Sequence, residues 1–72
     1  MAQNVETQVP GNVWKVLVKP GDKVKAGDVL FILEVMKTEV AHNAEVDGTV
    51  TAVNITEGQE GVDAGAVAVV IA

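Results

Sequence analysis

Residues 11–34, GNVWKVLVKPGDKVKAGDVLFILE, return in altered form at residues 48–72 as GTVTAVNITEGQEGVDAGAVAVVIA. A shift of 37 places Gly11 on Gly48, Val13 on Val50, Val16 on Val53, Val18 on Ile55 and Gly21 on Gly58. One extra residue then enters the second copy, and a shift of 38 sets Val24 on Val62, Gly27 on Gly65, Val29 on Val67 and Leu33 on Ile71. Six of the seven glycines find a partner in this way, and the seventh, Gly61, sits where the extra residue enters. Two copies are too few for a solenoid but enough for one pseudo-twofold domain. On this reading residues 1–72 are a single domain, with halves at about 9–36 and 46–72.

Each copy has the periodicity of β structure. Val16 and Val18 alternate with Lys15, Leu17 and Lys19, the period of a strand with one buried face. Val29–Val35 is a near-continuous apolar run in which Val29, Phe31, Leu33 and Val35 share a face, and Val67–Ile71 is its counterpart. Pro20-Gly21-Asp22 and Lys25-Ala26-Gly27-Asp28 carry turn chemistry. No segment shows a helical period with a cap. The extra residue at Gly61 predicts a bulge or a longer turn. Duplicated short strands without helix predict an all-β sandwich or flattened barrel. A chain of this length usually needs disulfides, a metal or very regular packing. With no cysteine and one histidine, His42, a disulfide framework, a thiol nucleophile and a Cys/His zinc site are all excluded. Regular packing of one half on the other remains.

Ten acids against five lysines give a net charge of −5. Every lysine lies at or before position 37, there is no arginine, and residues 38–72 hold six acids. Nucleic-acid binding needs a basic footprint that this sequence does not supply. The acidic half reads as a solvated, solubilising surface. No signal-peptide pattern opens the chain and no apolar run approaches membrane-spanning length, so a cytoplasmic protein is the expectation.

Between the copies lies Glu34-Val35-Met36-Lys37-Thr38-Glu39-Val40. If Val29–Val35 runs in as a strand and Thr38–His42 runs back out, Met36-Lys37 is the tip of a two-residue hairpin. Such tips favour Asn-Gly or Asp-Gly, because both central residues take positive φ. Met-Lys is a poor local choice, and departures from local preference concentrate at functional sites. Composition alone reads an exposed lysine as a solvated charge.

The residues around that tip resemble the biotinyl/lipoyl attachment domains, and most closely the biotin carboxyl carrier branch. The resemblance rests on Pro10-Gly11, Val18-Lys19-Pro20-Gly21-Asp22-Lys23-Val24, Gly27-Asp28-Val29-Leu30, Glu34-Val35-Met36-Lys37 and Asp47-Gly48-Thr49-Val50. It covers roughly Val9–Ala72, with 26 residues from Gly11 to Lys37 and 11 from Lys37 to Gly48. Gly11-Asn12-Val13-Trp14-Lys15-Val16 is similar to small free-standing biotinyl/lipoyl attachment proteins of bacteria. The resemblance implies a flattened β-barrel of two four-stranded antiparallel sheets with Lys37 exposed at a hairpin tip. It implies that a biotin protein ligase attaches biotin to Lys37, with Met36, Thr38 and Glu34 serving recognition and presentation. The domain itself would be a non-catalytic carrier whose tethered biotin takes carboxyl groups from a biotin carboxylase site to a carboxyltransferase site. The biotin branch usually reads Met-Lys-Met, and Thr38 departs from that. The lipoyl branch has Asp before its lysine, and Met36 departs from that. Ala44-Glu45 stands in place of the common Ala-Pro, and His42 in place of an aliphatic residue. The protruding thumb of some bacterial carriers has no counterpart, since the first copy carries no insertion there.

Two further functions stay open on the residues: lipoate on Lys37, or an unmodified β-barrel interaction module. An enzyme acting alone lacks a nucleophile, base or metal constellation. His42 reads as a structural or surface residue, without the oriented partner that a general base needs. Glu34 and Glu39 read as recognition or solvating charges flanking the tip. Trp14 reads as a half-buried strand aromatic, with an exposed docking residue as the alternative. Asn54-Ile55-Thr56 matches a glycosylation sequon of little weight in a cytoplasmic chain. The glycines form no phosphate loop, because no strand-to-helix transition follows them.

Overall fold

The computed structural model describes residues 2–72 and contains β-strands without helix among them. The strands are β1 (Gln3–Glu6), β2 (Asn12–Val16), β3 (Lys23–Val24), β4 (Val29–Val35), β5 (Thr38–Asn43), β6 (Gly48–Val53) and β7 (Val67–Ile71). They form two curled antiparallel sheets, ordered β1-β7-β6-β3 and β2-β4-β5.

The sequence repeat is visible in the hydrogen bonding. Gly21 has φ of 98° at the third position of the Lys19–Asp22 turn, where Asp22 N–H donates to Lys19 O (3.1 Å) and Lys19 N–H to Asp22 Oδ2 (3.0 Å). Thirty-seven residues on, Gly58 has φ of 84°, Gln59 N–H donates to Thr56 O (3.0 Å) and Thr56 N–H to Gln59 Oε1 (3.1 Å). Proline at the second position and glycine at the third suit a type II turn, whose third residue requires positive φ. Each half also has bulges, where two residues oppose one. Trp14 is the extra residue in β2 and Thr51 in β6, while Leu30 is the extra residue in β4 and Ala68 in β7.

The Leu30 bulge alters the expected strand pattern. Leu30 and Phe31 are consecutive and both fully buried, so β4 does not keep a simple alternation from Val29 to Val35. Leu17 and Val18 lie beyond β2, and Leu17 N–H donates to Leu30 O (2.9 Å), extending the contact with β4 past the strand.

The second sheet has three strands, with a single antiparallel bridge, Gly11↔Val62, on the free side of β2. That bridge is the counterpart of Val24↔Gly48 in the first half. The pair Lys23↔Thr49 has no second-half counterpart. Gly61, with φ of 68°, turns its N–H to the Asn12 side chain (Oδ1, 3.1 Å) instead of to a strand neighbour. The extra residue therefore makes a longer turn and reduces the fourth strand to one bridge.

β1 was not legible in the sequence, and it carries the correspondence past the readable repeat. It pairs with β7 as β5 pairs with β4, so that Val5 answers His42 and Thr7 answers Ala44, all four buried. Thr7 is tied in by its hydroxyl, which donates to Asp63 O (2.6 Å) and accepts from Ala66 N–H (3.1 Å).

The core lies between the sheets. Leu30, Phe31 and Leu33 from β4 meet Ala68, Val69 and Ile71 from β7, with Val13 and Val50 alongside. Burial of each larger side chain contributes roughly 1.5–3 kcal/mol. His42 is the one imidazole in this core, 4% exposed. Its ring stacks on Phe31 (4.5 Å between centroids, 16°), and its Nε2 accepts from Gln8 N–H (2.9 Å). No buried side-chain nitrogen or oxygen among the described residues lacks a partner.

Candidate functional site

β4 and β5 form a hairpin closed by the pair Val35↔Thr38, with Met36 and Lys37 as its two-residue loop. Both loop residues have positive φ, 49° at Met36 and 64° at Lys37. They are the only described residues other than glycine in that region. This is the backbone of a type I′ turn, which suits the right-handed twist of the flanking strands. For a side chain bearing a Cβ, each such conformation costs about 1–3 kcal/mol. Met36 recovers nothing by packing, because it is 93% exposed. Lys37 is exposed as well. The hairpin thus holds two unfavourable conformers at an exposed point, and the side chains presented there are a thioether and a primary amine.

Below the tip the hairpin is held by strand pairing on β4 and a close backbone approach. Glu34 and Glu39 stand opposite each other across β4–β5, both exposed, so two carboxylates flank the lysine loop from behind. Glu34 is also paired with Asn12 on β2. Beside it, the Gly11 backbone approaches so closely that a Cβ there would lie 2.7 Å from Glu34 O and 2.7 Å from Val35 Cγ2. Asn12 in turn holds the Gly61 turn. Thr38, exposed, opens β5 and closes the hairpin opposite Val35.

The structure therefore brings Glu34, Met36, Lys37 and Thr38 together at one hairpin end. His42 is not part of this group. Burial lowers its pKa below the ordinary value, and the hydrogen bond with Val40 O (3.3 Å) acts in the opposite direction. Its Nε2 is committed to a backbone N–H, which leaves no free base. Trp14, read from the sequence as a half-buried strand aromatic or an exposed docking residue, lies between the two. The bulge turns it outward, where it is 43% exposed with Lys15 Nζ 5.5 Å from its ring centre. Sequence reasoning missed Gly11 and Asn12 as supports of the hairpin. The repeat contained the signal, because a glycine kept at both 11 and 48 without positive φ marks a close backbone approach. No group of three or more His, Asp or Glu side chains among the described residues could hold a metal ion.

Fold and tip together define a small two-sheet β domain that displays one lysine on a strained turn. The chain belongs to the biotin/lipoyl attachment family, described as biotin-requiring enzyme, whose match runs over residues 2–71. It is 40% identical over 58 residues to the biotinylated protein TB7.3 homolog of Mycobacterium leprae, covering 81% of this chain and 82% of that protein. It is 42% identical over 66 residues to the dihydrolipoyllysine-residue acetyltransferase component of the pyruvate dehydrogenase complex of Rhizobium meliloti. That match covers 92% of this chain but only 15% of the acetyltransferase component. Among solved structures, the urea carboxylase of Kluyveromyces lactis superposes with a TM-score of 0.89 at 35% identity, over the whole of this chain and 6% of that one. The protein is accordingly a biotin/lipoyl attachment domain of all-β fold. No helix among the described residues is long and apolar enough to cross a membrane.

Proposed function

We propose that residues 1–72 act as a single biotin carboxyl carrier domain, with biotin joined through an amide to Lys37 Nζ. The observation that carries this reading is the tip itself, where Met36 and Lys37 hold the two positive-φ positions of a hairpin and Met36 is 93% exposed. A turn selected for stability would carry Asn-Gly there. Retaining Met-Lys sacrifices local stability for a presented amine. The site fits a long tethered group, since the lysine projects from a two-residue turn at the end of β4 and β5, clear of the core.

Lys37 would hold the group, and Met36, Thr38 and Glu34 would be read by a biotin protein ligase. Biotin bound in this way supplies carboxyl transport between a biotin carboxylase site and a carboxyltransferase site. The chain's own part is mechanical. The rigid turn fixes where the tether begins, and tethering turns each encounter into an intramolecular one at high effective concentration. The domain has no catalytic residue of its own on this reading and works in the cytoplasm. Acylation removes one positive charge, taking the net charge from −5 to −6.

Lipoate on Lys37 is the second reading, favoured by the similarity to the acetyltransferase component. The test is intact mass after co-expression with a biotin ligase, with a lipoate ligase, and with neither. Biotin attachment predicts a biotin-sized increment that disappears in Lys37→Arg. A lipoyl-sized increment transfers the domain to acyl transfer. A folded protein that gains mass from neither ligase leaves an unmodified interaction module.

A further inference from the structure

The sequence has no cysteine and two methionines, Met1 and Met36. Met36 therefore carries the only sulfur atom among the described residues. A methionine ordinarily serves a core, where its flexible chain fills irregular gaps. The core of this domain contains none, and Met36 stands at the hairpin tip instead, 93% exposed and with positive φ. The fold draws no packing from its thioether.

That placement decides what oxidation does. A sulfoxide is polar and chiral where the thioether was apolar, and a buried methionine changed in this way disrupts the core around it. The Met36 side chain is surrounded by water, so its sulfoxide is solvated and the turn keeps its closing pair, Val35↔Thr38. The change is confined to the surface around Lys37. Exposure opens the sulfur to a dissolved oxidant and, once oxidised, to a reductase, and no thiol in the chain competes for the oxidant.

We infer that Met36 is a reversible oxidation site that gates cofactor attachment at the neighbouring Lys37, with a hydroperoxide as the oxidant. The sulfur lone pair attacks the outer peroxide oxygen and the O–O bond breaks. The proton of the transferred oxygen passes to the departing one, which leaves as water or an alcohol. The sulfur is oxidised to the sulfoxide and the peroxide is reduced. A dithiol reductase reverses the step, its two thiols forming a disulfide while the sulfoxide oxygen leaves as water. A ligase that closes over Lys37 takes the adjacent Met36 side chain out of water. A thioether enters an apolar pocket readily, whereas a sulfoxide oxygen gives up hydrogen bonds to do so. Oxidation thus holds unloaded chains back, while chains already loaded keep their amide. The inference rests on the carrier reading proposed above.

The test treats the unloaded protein with dilute hydrogen peroxide and locates the added oxygen by peptide mass mapping. Biotin ligase kinetics are measured before treatment, after it, and after repair by methionine sulfoxide reductases for both epimers. Oxidation at Met36 is expected to lower kcat/KM tenfold or more with Tm unchanged, and repair to restore it. Met36→Leu is the control, because it keeps Met1 and the exposed Trp14 as oxidisable groups and lacks only the sulfur at the tip. Whatever its own rate of loading, peroxide is expected to leave that rate as it was, and the repair arm reads the effect on the wild-type chain alone. A kcat/KM within twofold for protein oxidised at Met36, or a loss that recurs in Met36→Leu or survives repair, overturns the inference and leaves the carrier reading intact. Absence of a biotin increment on untreated wild-type protein withdraws the carrier reading and this inference with it.

Discussion

The imidazole of His42 lies almost parallel to the ring of Phe31, 4.5 Å away, while its Nε2 accepts the backbone N–H of Gln8. An imidazole bound in this way is neutral. Protonation would set an Nε2–H against the Gln8 N–H and place a charge beside a buried aromatic ring.

Stability should therefore depend on pH through His42. Its pKa is lowered in the folded protein, chiefly by burial, whereas the unfolded chain titrates near 6.5. The contribution is complete above about pH 6.5 and is lost as the pH falls towards the folded value, because the unfolded state takes up the proton first. His42 borders a groove of about 550 Å3 between β1 and β5 that Glu6 and Glu45 also line, so its own contribution must be isolated by substitution. Melting curves of wild type and His42→Val over pH 5–8 do this. The difference in Tm between the two proteins should shift in favour of the variant as pH drops, and a constant difference would exclude His42 as the cause.

Gly11→Ala and Gly48→Ala should both destabilise, and only the first should affect the site. A Cβ at Gly11 would lie 2.7 Å from Glu34 O, and one at Gly48 would lie 2.5 Å from Ala72 O. Overpacking of this kind costs about 1–3 kcal/mol, or about 5–20 °C in Tm for a domain of this size. Glu34 leads directly to the lysine turn, whereas Ala72 lies on the other sheet. Ligase kinetics at a temperature where both variants are folded should be impaired for Gly11→Ala and unaltered for Gly48→Ala.

Replacing the tip by the residues that its backbone prefers should stabilise the domain and, on the carrier reading, prevent cofactor attachment. Met36→Asn/Lys37→Gly relieves two left-handed conformers and removes the amine. A gain of about 1–3 kcal/mol is expected, visible as a higher Tm, together with no mass increment from any ligase. A lower Tm would mean that the exposed Met36 and Lys37 side chains stabilise the turn in some other way.

Thr38→Met restores the commoner residue after the lysine without touching the core, since Thr38 is exposed. Stability should change by less than about 0.5 kcal/mol. Biotinylation should accelerate if Thr38 slows recognition, and equal rates in a ligase assay would remove Thr38 from the recognition set.

Much of this architecture was legible because the repeat placed glycines and valines at matching turns and strands. The hairpin was legible because strand-like runs flank Met36-Lys37, whereas the standing of Lys37 came from the resemblance, since composition alone reads it as a solvated charge. β1 was hidden because Gln3-Asn4-Val5-Glu6 holds one apolar residue, too few to display a period. Its counterpart, β5, carries the polar His42 where β1 carries Val5, which masks the correspondence. The bulges were also hidden, because a pair such as Leu30-Phe31, both buried, reads in a sequence as part of an ordinary apolar run. The face of Trp14 stayed open for the same reason, since alternation without the bulge does not assign it.

The pairing of β1 with β7 also orders events in time. Gln3 finds its partner only at Ile71, and the core under the lysine hairpin needs Val69 and Ile71. The hairpin itself is synthesised by residue 43, on the order of seconds before that at about 5–20 residues per second of translation. During that interval the lysine is present but its supporting barrel is not. On the carrier reading, cofactor loading that reads the folded tip follows synthesis of the strand at 67–71, and a nascent chain that has not yet reached that strand is a poor substrate for it.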